Sequence, residues 1–126
     1  MNIEEIVNRV YPDIKEYFGN KSTVKLYRNI YHRLDVDEVD EDWISYAEYL
    51  WDSDEIVLYT DSIDSEEDVI RSLLHESTHS TQDYDIYKAL YEQCNLDYSM
   101  HPYEIEAEHE EERWVEYKTQ TEYEHH

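Results

Sequence analysis

Residues 75–79 read His75-Glu76-Ser77-Thr78-His79. On a helix, positions i and i+4 lie one above the other on the same face. Two imidazoles placed that way can bind one Zn²⁺ through their ring nitrogens. Glu76 follows the first histidine and is turned from it by about 100°, at 3.6 residues per turn. Its carboxylate then stands beside the metal rather than on it. From there it can take a proton from a metal-activated water and return one to a leaving amine, while the metal polarises the scissile carbonyl. The chemistry this spacing points to is hydrolysis of a peptide bond.

A catalytic zinc ordinarily has three protein ligands and leaves its fourth position to water or substrate. The third ligand must come from elsewhere in the chain, and the candidates are His101, Glu104, Glu106, Glu108, His109 and Glu110. They form a cluster far enough beyond His79 for the chain to turn and lay a second helix beside the first.

The segment Glu106-Ala107-Glu108-His109-Glu110 resembles the second signature of gluzincin metallopeptidases, the thermolysin-like branch of the zincins. In that family a helix downstream of His-Glu-x-x-His carries a zinc-binding Glu, followed by Ala in many members. An acid four residues on orients one of the histidines. The resemblance implies His75, His79 and Glu106 as the metal ligands, Glu76 as general base and acid, and Glu110 as the acid behind a histidine. Metal-bound histidines need such an acceptor for their other ring N–H. Residues 101–107 also look like the equivalent helix of minimal phage-type and bacterial metallopeptidase-like proteins. The resemblance covers about residues 55–118. His109 and His101 are the alternative third ligands, and His109 would indicate a three-histidine zincin. However, His79 is followed by Ser80, Thr81 and Gln82, without the glycine-containing extension that such proteins carry. A peptidase also needs a group for the oxyanion, and Tyr84, Tyr98, Tyr103 and Tyr117 are available. Arg71 and Arg113 could hold a substrate carboxylate; the abundance of acids favours ion pairing instead.

The elements that must position these residues are legible in part. Ile3, Ile6, Val7, Val10, Ile14, Tyr17 and Phe18 recur at helical spacing. Pro12 is expected to kink or restart that helix, and Gly19-Asn20 to stop it. Residues 23–31 favour a strand, residues 43–51 read as strand or short helix, and residues 55–60 are the clearest strand. Residues 35–42 hold six acids and read as a solvated loop; they lack the glycine and the spacing of an EF-hand. Ser65 is a good N-cap for a helix over 66–82, with Asp68 as a variant capping box. Its apolar residues Ile70, Leu73 and Leu74 lie opposite the two histidines. A less regular helix covers 84–93, and Pro102 suits the first position of a last helix over 102–118.

This pattern predicts a single α+β domain spanning residues 1–126, zincin-like, with a small sheet packed on the active-site helix and a second, ligand-bearing C-terminal helix. With 126 residues one modest core is expected. Tyrosine supplies much of the apolar surface, 14 residues against one Phe, which predicts a thin core with an aromatic margin. The formal net charge of −23 opposes compaction unless salt or cations offset it. It argues against nucleic-acid or anionic-membrane binding, and fits a high-salt source or an attraction for basic peptide or protein substrates; a viral or phage source is what the resemblance to phage-type proteins implies. The alternative is a non-catalytic acidic module, either a zincin-like scaffold or a nucleic-acid mimic. Cys94 is the one cysteine, so neither an internal disulfide nor a Cys-rich zinc site is possible. The N-terminus has no signal-peptide pattern, and a cytoplasmic location is expected. The sequence leaves the oligomeric state open. The terminal His125-His126 reads as the stub of a tag and enters no functional argument.

Overall fold

The computed structural model describes residues 1–35, 46–95 and 97–119. The acidic run after Asp35, residues 43–45, the side chain of Tyr98 and the terminal His125-His126 lie outside the described residues. The architecture is α+β. In chain order the elements are α1 (Ile3–Phe18), β1 (Thr23–Tyr27), α2 (Ile30–Leu34), β2 (Ala47–Leu50), β3 (Glu55–Tyr59), α3 (Glu66–Ser80), α4 (Tyr84–Gln93) and α5 (Pro102–Glu111). A 3₁₀ segment, Glu112–Glu116, continues α5. The sheet runs β1-β3-β2, with β1 parallel and β2 antiparallel to the central β3. Among the described residues no helix is long and apolar enough to cross a membrane.

β3 is central because nearly all of it is apolar: Ile56, Val57, Leu58 and Tyr59 are fully buried. Ile56 and Leu58 join the main core with Val7, Val10, Tyr11 and Ile14 of α1 and Val69, Ile70, Leu73 and Leu74 of α3. Tyr59 on the other face keeps its hydroxyl satisfied, donating to Glu48 at 2.6 Å and accepting from Arg33 at 2.8 Å. Tyr11, Tyr49 and Tyr87 likewise have bonded hydroxyls, so these rings extend a small core with their polar ends satisfied.

Several boundaries differ from the sequence pattern for local reasons. Pro12, at an exposed position, does not break α1, which runs through it. Gly19 ends the helix in the left-handed region (φ 67°), donating its N–H to the carbonyl of Lys15, a conformation glycine adopts without a Cβ clash. The strand expected over 23–31 stops at Tyr27, because Asn29 caps α2 by accepting from the His32 amide. α3 begins as its cap predicts: Ser65 Oγ accepts from the Asp68 amide at 3.1 Å, and Asp68 reaches back to the Asp64 amide at 3.0 Å. The last helix is shorter than expected, ending at Glu111 before tightening to 3₁₀.

Truncating the core contact between α1, β3 and α3 should be costly. Leu73→Ala, at a fully buried position, is expected to lower unfolding free energy by about 2–5 kcal/mol in urea titrations. Ile86→Ala, on the exposed side of α4, should change it by less than about 0.5 kcal/mol.

Candidate metal centre

α3 buries Ile70, Leu73 and Leu74 completely on the core side. Its other face then turns His75, Glu76 and His79 toward β2 and α5, and their side chains line one cleft of about 420 Å³ with residues 47–51, Tyr87 and Glu104. α5 supplies the opposing wall. It approaches α3 closely because Ala107, fully buried, places no bulk in the way.

The two imidazoles converge on one oxygen. His75 Nε2 lies 2.9 Å and His79 Nε2 3.1 Å from Glu104 Oε1. One donor atom from each of His75, His79 and Glu104 lies within 4.8 Å of the others, so this group could hold a metal ion. The far side of each ring is also held. His75 Nδ1 is 2.8 Å from Glu111 Oε2 and His79 Nδ1 is 2.7 Å from Gln82 Oε1. The Gln82 amide is oriented by its own donations, to the Tyr103 carbonyl at 3.1 Å and Glu106 at 3.0 Å, which leaves its oxygen for His79. Glu111 also faces Arg71 at 3.8 Å.

These partners test whether a cation belongs here. Glu111 and Gln82 Oε1 are acceptors, so both Nδ1 atoms carry hydrogen. The Nε2 atoms then face a carboxylate oxygen, and a neutral imidazole would oppose lone pair to lone pair. The arrangement is satisfied either by a second proton on each ring or by one divalent cation bound between the three atoms. The donor set and the acceptors behind the histidines therefore fit a metal such as zinc.

The electrostatics follow. Burial opposes charge on His75, but Glu104 and Glu111 push its pKa from 6.5 to about 10. His79 is raised as well, Glu104 outweighing its burial. Burial also opposes ionisation of Glu104, yet the two imidazoles hold its carboxyl far below the usual carboxylate range. Glu76, 7% exposed, is raised because burial outweighs the pull of His75 and His79.

The structure brings together only part of the set expected from sequence. Glu106 is exposed and bonded to Gln82; it does not reach the histidines, and Glu104 stands in its place. Glu110 pairs with Arg113 at 3.4 Å, so the acid behind His75 is Glu111. At 100° per residue Glu106 points roughly 160° away from Glu104, whereas Glu111 lies within roughly 20° of it. The Glu104-x-x-Ala107-x-x-x-Glu111 stripe was thus the signal present in the sequence. His109 is exposed on the outer side of α5. His101 is fully buried, but its Nδ1 accepts from the Tyr103 amide and its Nε2 donates to the Tyr87 carbonyl, so neither nitrogen is available to a metal. Of the tyrosines considered, Tyr84 packs on Trp51, Tyr103 beside His101 and Tyr117 beside Arg113. Tyr87, not singled out by pattern, lines the cleft and donates its phenol to Glu104 Oε2. Arg71 and Arg113 are engaged in ion pairs.

Comparison of the chain with protein-family models, with curated proteins and with solved structures finds no match.

Two measurements check the centre. Glu104→Gln should weaken zinc retention far more than Glu106→Gln, with Glu111→Gln intermediate at about 10–100-fold; equal effects of the 104 and 106 changes would remove Glu104 from the ligand set. The second concerns protons. Without metal, the raised His75 and His79 pKa values stabilise the fold fully below 6.5, and that contribution fades as pH climbs through about 10 for His75. Glu104 contributes above its ordinary 4.5 and loses this only as pH falls into strong acid. Zinc competes with the imidazole protons, so its affinity should rise with pH, and its addition at pH 7 should release about two protons per chain. Potentiometry in weak buffer reads this; binding without acidification would show the imidazoles already neutral.

Proposed function

We propose that the protein is a zinc-dependent peptide-bond hydrolase of zincin-like, gluzincin type, with His75, His79 and Glu104 as the metal ligands and Glu76 as general base and acid. The observation that carries this reading is the convergence of two imidazole Nε2 atoms and one carboxylate oxygen at the edge of a cleft that also contains the buried Glu76. Bound zinc would supply Lewis acidity toward a water and toward the substrate carbonyl. Everything else is assigned to the chain's own groups. Glu76 sits one position along the helix from His75, so its carboxylate enters the cleft without joining the ligand set. Among the described residues no hydrogen bond ties it down, and it is positioned to take a proton from water and pass one to the departing amine. Glu111 and Gln82 hold the imidazole rings in the tautomer that leaves Nε2 to the metal.

The choice of a peptide as substrate is supported by β2. All of residues 47–51 line the cleft, although alternate side chains of a strand point to opposite faces. The strand therefore runs along the cleft, and among the described residues β3 is its one strand neighbour. An extended peptide could lie along this wall of the cleft. The −23 charge favours basic sequences by long-range attraction.

Glu76→Gln keeps size and hydrogen bonding but cannot accept the proton. It should fold and retain zinc while cleavage of Lys- and Arg-rich peptide libraries falls by about 10²–10⁴-fold. Wild-type protein that binds zinc but cleaves nothing, with Glu76→Gln unchanged in the cell, would leave the non-catalytic binding module as the better reading.

A further inference from the structure

Glu104 meets the centre with one oxygen only, and the other oxygen has a dedicated partner. Tyr87 of α4 donates its phenol hydroxyl to Glu104 Oε2, while Oε1 faces both Nε2 atoms. Tyr87 is itself placed by a buried device. His101, fully buried, donates from Nε2 to the Tyr87 carbonyl at 2.9 Å, and its Nδ1 accepts from the Tyr103 amide at 3.1 Å. The second bond caps the N-terminus of α5, the helix that carries Glu104. The Tyr87 and His101 rings also pack together, centroids 4.2 Å apart. One histidine thus ties the helix of the phenol to the start of the helix of the carboxylate.

We propose that Tyr87 is a positioning residue that holds Glu104 as a one-oxygen ligand, with His101 as the clamp that keeps phenol and carboxylate in register. This rests on the metal reading above. A carboxylate can bind a cation through one oxygen or both. If both bound, Glu104 would take a position that water and substrate need in a three-ligand site. The phenol proton occupies the second oxygen and removes that option. It also fixes the plane of the carboxylate, so that Oε1 stays on the line where the two imidazoles meet. The same interaction explains why a histidine in a candidate ligand cluster is spent on backbone partners: its use is to fix the spacing of α4 and α5.

The test is titration of the full-length chain with Co²⁺, which reports coordination through its visible absorption, and with Zn²⁺ in competition against a chelator. The variants are Tyr87→Phe, which keeps the ring packing, Tyr17→Phe as a remote tyrosine control, and His75→Ala as a ligand control. Tyr87→Phe should retain its circular dichroism and bind one metal. Its cobalt bands should weaken and shift as coordination number rises, and zinc should bind about 10–100-fold more weakly, as when other outer partners of ligands are lost. Tyr17→Phe should match wild type. A Tyr87→Phe chain with wild-type cobalt spectrum and zinc affinity, alongside a His75→Ala chain that loses cobalt, overturns the role of Tyr87 and leaves the metal centre standing. Loss of circular dichroism in Tyr87→Phe would make the phenol a folding group and also overturns it. A wild-type chain that takes up no cobalt removes the metal centre itself.

Discussion

Two imidazole edges and one carboxylate oxygen meet at a point between α3 and α5, and the rest of the molecule is arranged around the charge this demands. Glu111 and Gln82 fix hydrogen on both Nδ1 atoms, so the two Nε2 atoms and Glu104 Oε1 would be three lone-pair donors facing one another. Two units of positive charge resolve this, either as two protons or as one divalent cation. In a partly buried site the choice is sharp, because the local dielectric strengthens every interaction and makes an unpaired charge costly. Exchange of two protons for one divalent ion would preserve the charge, so this group could hold either.

Meeting that demand requires two helices held at close and definite spacing. α3 is anchored by a face that is almost entirely buried aliphatic, packed against α1 and β3. α5 lacks such a face; Ala107 is its one fully buried apolar side chain among the described residues. It is placed instead by polar contacts: the His101 cap, the phenol of Tyr87, the Gln82 amide on the Tyr103 carbonyl, and the ion pairs of Glu111. A small chain with a thin core can afford few apolar contacts, and polar contacts are more directional, so the ligand-bearing helix is fixed by geometry rather than by area.

The acidic composition acts on the same centre. A cleft containing Glu48, Glu76 and Glu104, in a chain of net charge −23, sits in a field that favours cations of every kind. Part of the acid content is neutralised locally. Arg33 holds Glu48 and Tyr59, Arg9 holds Glu66, and Arg113 joins Glu110 and Glu116. The first two of these pairs join different elements, α2 to β2 and α1 to α3, and the Arg113 pairs join successive turns at the end of α5.

The sequence by itself determined the first half of the site. His75, Glu76 and His79 share one helix by spacing alone, and Ser65, Asp68 and the Ile70, Leu73, Leu74 stripe announce where that helix starts and which side it buries. These are local properties, set by a 3.6-residue period and by backbone groups a few residues apart. β3 was legible for the same reason, as a short β-branched run between acids. The third ligand was a different kind of question. Residues 101–111 carry acids on every side, so Glu104, Glu106, Glu108 and Glu110 were indistinguishable by type. The resemblance to a Glu-Ala signature pointed to Glu106, one face away from the histidines. Only the docking of α5 through Ala107 and the His101 cap sets its rotation about its own axis, and that rotation turns Glu104 and Glu111 toward α3 and Glu106 toward solvent. Tyr87 was hidden for the same reason, since it meets Glu104 17 residues along the chain; Gln82 lies only three residues from His79, but the partners that orient its amide stand on α5, 21 and 24 residues away, and such contacts exist only once the helices have packed.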